Sequence, residues 1–181
     1  MNDSNGGLDL KAHIRTVPDF PVPGIRFRDI TPLLASPEAY GEVIRRLADT
    51  YRDGGVDVVA SVEARGFLFG APLALELAAR FVPVRKPGKL PHETRSHSHQ
   101  LEYGEDTLEV HTDAVKSGDR VLMVDDLLAT GGTVAACNRL LVEAGAEVVG
   151  GAGVIELEGR GGREALAGCE VTTLMTYSED D

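Results

Sequence analysis

The sequence predicts an α/β fold: a mainly parallel sheet of about five strands flanked by helices. The first observation behind this is an alternation. From Asp57 onward the short apolar runs VDVVAS, FVPV, RVLMV, EVVGGAGVIEL and VTTLM alternate with the helical stretches FLFGAPLALELAAR, VAACNRLLVEAGA and EALAG. Runs without polar alternation belong to strands covered on both faces, and parallel strands need crossover helices between them. The second observation is size. At 181 residues, 43% hydrophobic and 26% charged, the chain can bury a core without metal or disulfide staples. One domain is expected over residues 1–181, with an N-terminal flap and helix in 1–55 and the core in 56–181.

Taken in order, PDFPVPGIRFRDITPLL is proline-rich and irregular, and PEAYGEVIRRLADTYRD is an amphipathic helix; together they predict a flap over the sheet. VDVVAS, the apolar helix and FVPV then begin a βαβ unit. Residues 88–106 are polar, rich in His and Glu, and follow neither period, which predicts a long loop of the kind that carries function. TLEVH resumes a strand. RVLMV is expected to stop at Asp125 and Asp126, with LLATGGT leading into a helix whose Val134, Cys137, Leu141 and Ala144 share a face. Gly145 closes that helix as its cap, EVVGGAGVIEL follows as a buried strand, and EALAG and VTTLM complete the core.

Composition narrows the function. Lys and Arg total 18 against 29 Asp and Glu, a formal charge of −11, which disfavours a nucleic-acid coat. An anionic ligand must therefore meet local basic islands, and Arg85, Lys86, Lys89 and Arg95 form one beside His92, His97 and His99. Apolar runs such as VLMV are far short of the roughly 18 residues that span a bilayer. MNDSNGGLDLK has neither the basic nor the apolar part of a secretory leader, and the 2 cysteines form no CxxC pair. A cytoplasmic protein that binds neither membrane nor nucleic acid is expected.

The most informative string is VLMVDDLLATGGT, Val121 to Thr133. Ligands of open parallel sheets collect beyond the carboxyl ends of the strands. There, free N–H groups at a helix start, with the Thr130 and Thr133 hydroxyls, suit a phosphate, while Asp125 and Asp126 suit sugar hydroxyls or magnesium. Gly131 and Gly132 let the backbone close around an oxyanion. Either dipeptide alone is an ordinary strand end or turn; their order is what carries meaning. No GxxxxGK[ST] or GxGxxG occurs, which disfavours P-loop and dinucleotide-binding folds.

On these residues the string resembles the phosphoribosyl-pyrophosphate (PRPP) signature of the type I phosphoribosyltransferases. PDFPVPGIRFRDITPLL, EARGFLFG, RKPGKLP and LEYG are similar, in order and spacing, to segments of the family members that act on adenine. The resemblance implies the type I phosphoribosyltransferase fold with a hood and a mobile catalytic loop. It further implies transfer of ribose 5-phosphate from PRPP to adenine, giving AMP and pyrophosphate, with Mg²⁺ carried mainly by PRPP and a homodimer as the assembly. It places the 5′-phosphate on Ala129, Thr130, Gly131, Gly132 and Thr133, and the ribose hydroxyls on Asp125 and Asp126. Acceptor carboxylates suit donor hydroxyls, and N–H donors suit phosphate, so the chemistry agrees.

Relatives that use 6-oxopurines carry an Asp where this chain has Ala129; here Glu102 of LEYG is the candidate catalytic residue. A carboxylate close to an oxocarbenium-like centre stabilises it or accepts a proton, and a closing loop keeps water out. Pyrophosphate leaves with several negative charges, for which Arg65, Arg85, Lys86, Lys89 and Tyr103 are the candidates. Phe27 and the main chain at Arg28 are the candidates for adenine, whose exocyclic amine donates where a 6-oxo group accepts. His92, Glu93 and His97 miss the HExxH spacing by one residue. A PRPP- or nucleotide-sensing regulator of the same fold, and a transferase for another base, are the competing readings.

Overall fold

The computed structural model describes residues 7–101, 104–166, 168–178 and 181. A 3-10 helix, Leu10–His13, leads into β1 (Arg15–Pro18) and β2 (Arg26–Asp29), which pair antiparallel with Thr16 opposite Arg28. The proline-rich stretch expected to be irregular is thus a hairpin; its short strands pair on one edge only, a pattern that leaves little periodicity. After a short helix α1 (Thr31–Leu34) comes α2 (Pro37–Tyr51), capped by Ser36, whose hydroxyl accepts from the Ala39 amide at 3.3 Å. Ala39, Val43, Leu47, Ala48 and Tyr51 recur at helical spacing and are all buried.

The core alternates as the sequence predicts: β3 (Val58–Val62), α3 (Gly66–Glu76), β4 (Arg80–Val84), β5 (Thr94–Leu101), β6 (Gly104–His111), β7 (Arg120–Leu128), α4 (Gly132–Glu143), β8 (Glu147–Leu157), α5 (Gly162–Ala165) and β9 (Val171–Tyr177). Five strands form one sheet in the order β4-β3-β7-β8-β9, every neighbouring pair parallel. Side chains that alternate along β3 and β7 face opposite layers. Val59, Leu122 and Val124 pack with α2 and α3, whereas Val58, Ala60, Val121 and Met123 pack with Ala136, Cys137, Leu140 and Leu141 of α4. Among the described residues no helix is long and apolar enough to cross a membrane.

Two departures from the sequence expectation shape the site. The region expected to be a long loop contains an antiparallel ribbon, β5 paired with β6 from Thr94 opposite His111 to Leu101 opposite Gly104. Its strands are largely polar, so no apolar alternation marked them in the sequence. Strand β7 does not stop at the aspartates. Its pairing with β3 ends at Ser61 opposite Val124, while its pairing with β8 continues through Asp125 opposite Gly153 to Leu128 opposite Glu156. The two acids therefore lie on a strand that has lost one neighbour. That gap, between β3 and β7, is where chain order reverses across the sheet, the position at which open α/β sheets form a ligand crevice.

Candidate active site

A cavity of about 270 Å³ opens at this reversal point, walled by the turn after β3 (Glu63, Ala64, Arg65), Lys86, Asp125, Asp126 and the bend from Ala129 to Thr133. Every residue assigned from the sequence to the ribose and the 5′-phosphate lies on it. Gly66 opens α3 where a Cβ would lie 3.1 Å from both the Val124 carbonyl oxygen and Asp125 Oδ1, so any side chain there would press the two segments apart by a few tenths of an ångström. At the opposite wall Gly131 takes φ +74°, a left-handed turn that reverses the chain into α4. No side chain caps that helix, which leaves its first amides directed at the cavity as anion donors.

The two aspartates are differently held. Asp126 is 3% exposed, and its Oδ2 lies 3.1 Å from Arg65 Nε. Asp125 Oδ1 accepts the Asp126 amide at 2.9 Å. Burial, then the neighbouring Asp126 charge, pushes the Asp125 carboxyl up to about 7. Burial also raises Asp126, with Arg65 opposing it. Beneath them, burial and the Asp125 charge push the Cys137 thiol up to about 12, so this cysteine is a packing residue.

The candidates for pyrophosphate divide. Arg65 and Lys86 line the cavity. Arg85 and Lys89 instead grip Glu63: Glu63 Oε2 accepts from Arg85 Nε at 3.0 Å and Nη2 at 2.9 Å, and Oε1 lies 3.1 Å from Lys89 Nζ. Burial opposes ionisation of Glu63, but the Lys86 amide, Lys89 and Arg85 outweigh it and hold the carboxyl below its usual range. Glu63 escaped the sequence reading, although its place just past a strand end is a signal that could have found it. Glu102 and Tyr103 lie outside the described residues.

A second cavity, about 470 Å³, adjoins the first through shared walls at Ala129 and Thr130, between the hairpin (Gly24, Ile25, Arg26, Arg28) and the ends of β8 and β9 (Leu157, Glu158, Tyr177). The Arg28 side chain is held by protein groups at the wall of this cavity. It donates to Thr16 Oγ1 at 2.5 Å and to the Asp181 carbonyl at 2.7 Å, and lies 4.1 Å over the Tyr177 ring. Among the described residues β2 joins a ladder with β1 alone, so the main chain of its other edge takes no part in a sheet. Phe27 lines neither cavity; its ring packs edge-on against Phe20 at 5.1 Å and under Arg65 at 5.5 Å. Tyr177 and Glu158 were missed, though both follow from the strand-end rule.

His92 and His111 rings stand 6.1 Å apart, and His97 Nδ1 is 3.1 Å from Glu143 of α4. Among the described residues no three His, Cys, Asp or Glu converge as a metal cage.

The phosphoribosyl transferase domain family matches residues 29–173. The adenine phosphoribosyltransferase of Rhodopirellula baltica is 53% identical over 174 residues, covering 96% of this chain and 84% of that protein. The Shewanella loihica enzyme of the same name is 56% identical over 170 residues, covering 94% and 93%. A crystal structure of adenine phosphoribosyltransferase from Thermoanaerobacter pseudethanolicus superposes with TM-score 0.90 at 49% identity, covering 93% of this chain and 98% of that one. The Saccharomyces cerevisiae enzyme, complexed with an imino-altritol bisphosphate and adenine, superposes with TM-score 0.85 at 37% identity, covering 91% and 96%. The strand order, the crevice at its reversal and these likenesses agree: the chain belongs to the phosphoribosyltransferases, and among them to the adenine phosphoribosyltransferases.

Proposed function

We propose that the smaller cavity binds PRPP and the adjoining one adenine, so that N9 of the base attacks C1′ of the ribose with inversion and pyrophosphate departs. The observation that supports this most is the joining of a diacid and an uncapped helix start in one cavity, with arginine and lysine on the opposite wall. In this reading Asp125 and Asp126 accept the ribose hydroxyls, the amides and hydroxyls of 129–133 receive the 5′-phosphate, and Arg65 and Lys86 face the diphosphate. Adenine lies between the hairpin and Tyr177, read by the main chain of β2 near Arg28, with Phe27 closing the hood from behind Arg65.

Bond breaking leaves positive charge on the ribose and negative charge on pyrophosphate, and the cavity offers carboxylates for the first and Arg65 and Lys86 for the second. Glu102 is the residue for the ribosyl cation or the N9 proton, and Tyr103 for the diphosphate. The donor set suits Mg²⁺: two carboxylates supply hard oxygens, and a cation that keeps its other ligands from water and PRPP needs no protein cage. Held there with PRPP, it would supply positive charge to offset that of the leaving group. The chemistry is that of purine salvage in the cytoplasm. A homodimer is supported by α3, which is apolar all round and leaves Leu75 83% exposed.

The test is turnover. Incubation with adenine, PRPP and magnesium yields AMP and pyrophosphate in equal amounts; tight PRPP binding without product would favour the regulator.

A further inference from the structure

We propose that Glu63 is a positioning residue for the pyrophosphate end of the donor: it fixes the turn after β4 so that Lys86 faces the cavity beside Arg65. The inference rests on the reading that this cavity takes PRPP. Glu63 is the first residue beyond β3, and its side chain is 7% exposed. Its Oε1 accepts the Lys86 amide at 2.6 Å and faces Lys89, while Oε2 takes both contacts from Arg85. Its own amide donates to the Val84 carbonyl at 3.0 Å, which registers the carboxylate against the end of β4.

The other side of the same turn is held by Glu109 of β6. Arg85 and Glu109 exchange both main-chain bonds, at 2.9 and 2.7 Å, and Glu109 Oε2 accepts the Gly88 amide at 3.2 Å. Residues 85–89 are therefore stitched between the sheet and the ribbon by one acid on each side.

A buried negative charge beside a polyanion site is electrostatically adverse, so its presence needs a compensating role. Two roles predict opposite signs. If Glu63 only balances charge, Glu63→Gln leaves Arg85 and Lys89 in surplus and tightens binding of the donor. If Glu63 positions, losing the charged bonds frees the turn and weakens it.

The experiment is steady-state kinetics of Glu63→Gln with PRPP and adenine varied separately, beside calorimetric binding of magnesium pyrophosphate to both proteins. A rise of about tenfold in KM for PRPP and in Kd for pyrophosphate is expected, with KM for adenine within about twofold, the ratio set by losing charge-assisted bonds. Unchanged or tighter pyrophosphate binding overturns the inference, as does an equal rise for both substrates, which would mark a merely structural residue. Should Glu63→Gln fail to fold, Lys89→Met removes one arm of the clamp and is expected to show the same selectivity at about threefold; equal effects on both substrates overturn it there too. Absence of AMP with the unmodified protein would count against the proposed function, whereas an active protein with a silent Glu63→Gln counts against this inference alone.

Discussion

Asp125 shows most clearly how one residue couples the site to the fold. Its carboxyl is pushed up to about 7 by burial and by Asp126, against an ordinary 3.8. Between those values the folded protein keeps a proton that the unfolded chain has released, so this group's contribution to stability falls as pH rises through the window. The unmodified protein should therefore lose several degrees of Tm between pH 5 and 8 relative to Asp125→Asn; parallel Tm profiles would contradict this. The diacid and the glycine bend were legible in the sequence because their chemistry lies in contiguous residues. The Glu63 clamp was not, since Arg85, Lys86 and Lys89 meet it only once β3 and β4 pair. Phe27, which the sequence sets on the base, packs with Phe20 and Arg65.

At the scale of elements, the bend from Ala129 to Thr133, proposed to receive the 5′-phosphate, is backed by the start of α5. A Cβ on Gly162 would lie 2.4 Å from the Ala129 carbonyl oxygen and 2.8 Å from Leu128 Cγ. Gly162→Ala must displace the bend, and is expected to raise KM for PRPP at least about tenfold, a geometric error of this kind costing up to about 100-fold; an unchanged KM would show that the bend tolerates the shift. Gly41, in the middle of α2, has open space around its Cβ position, so Gly41→Ala should stabilise the protein by about 0.5–1 kcal/mol in urea denaturation. Helices and buried strands were readable because their periods are carried by apolar residues. The β5–β6 ribbon was not, because hydrogen bonding between polar strands leaves no such trace. The extent of β7 was hidden for a related reason: whether Asp125 continues a strand depends on β8 being beside it.

Across the whole molecule, the sheet brings residues far apart in sequence to one reversal point, and the cavity under the hairpin adjoins it. Base choice belongs to this scale, since the cavity proposed for adenine is walled by the hairpin, Ala129 and the β9 end together. Adenine should be consumed much faster than hypoxanthine in direct competition, because a site that pairs with an amine leaves groups unpaired against a 6-oxo purine, a difference of about 10⁴-fold where such groups are buried. Faster use of hypoxanthine would refute the base assignment and leave the fold intact. Glu102→Ala should reduce kcat by about 100-fold or more with PRPP affinity retained, the scale of a lost proton-transfer group; an undiminished kcat would remove Glu102 from the mechanism. The most direct measurement is a crystal structure with PRPP and magnesium bound. The 5′-phosphate should lie against the amides of 129–133, with both ribose hydroxyls in hydrogen-bonding distance of Asp125 and Asp126; a donor seated elsewhere, with Asp126 still closed on Arg65, would contradict the account.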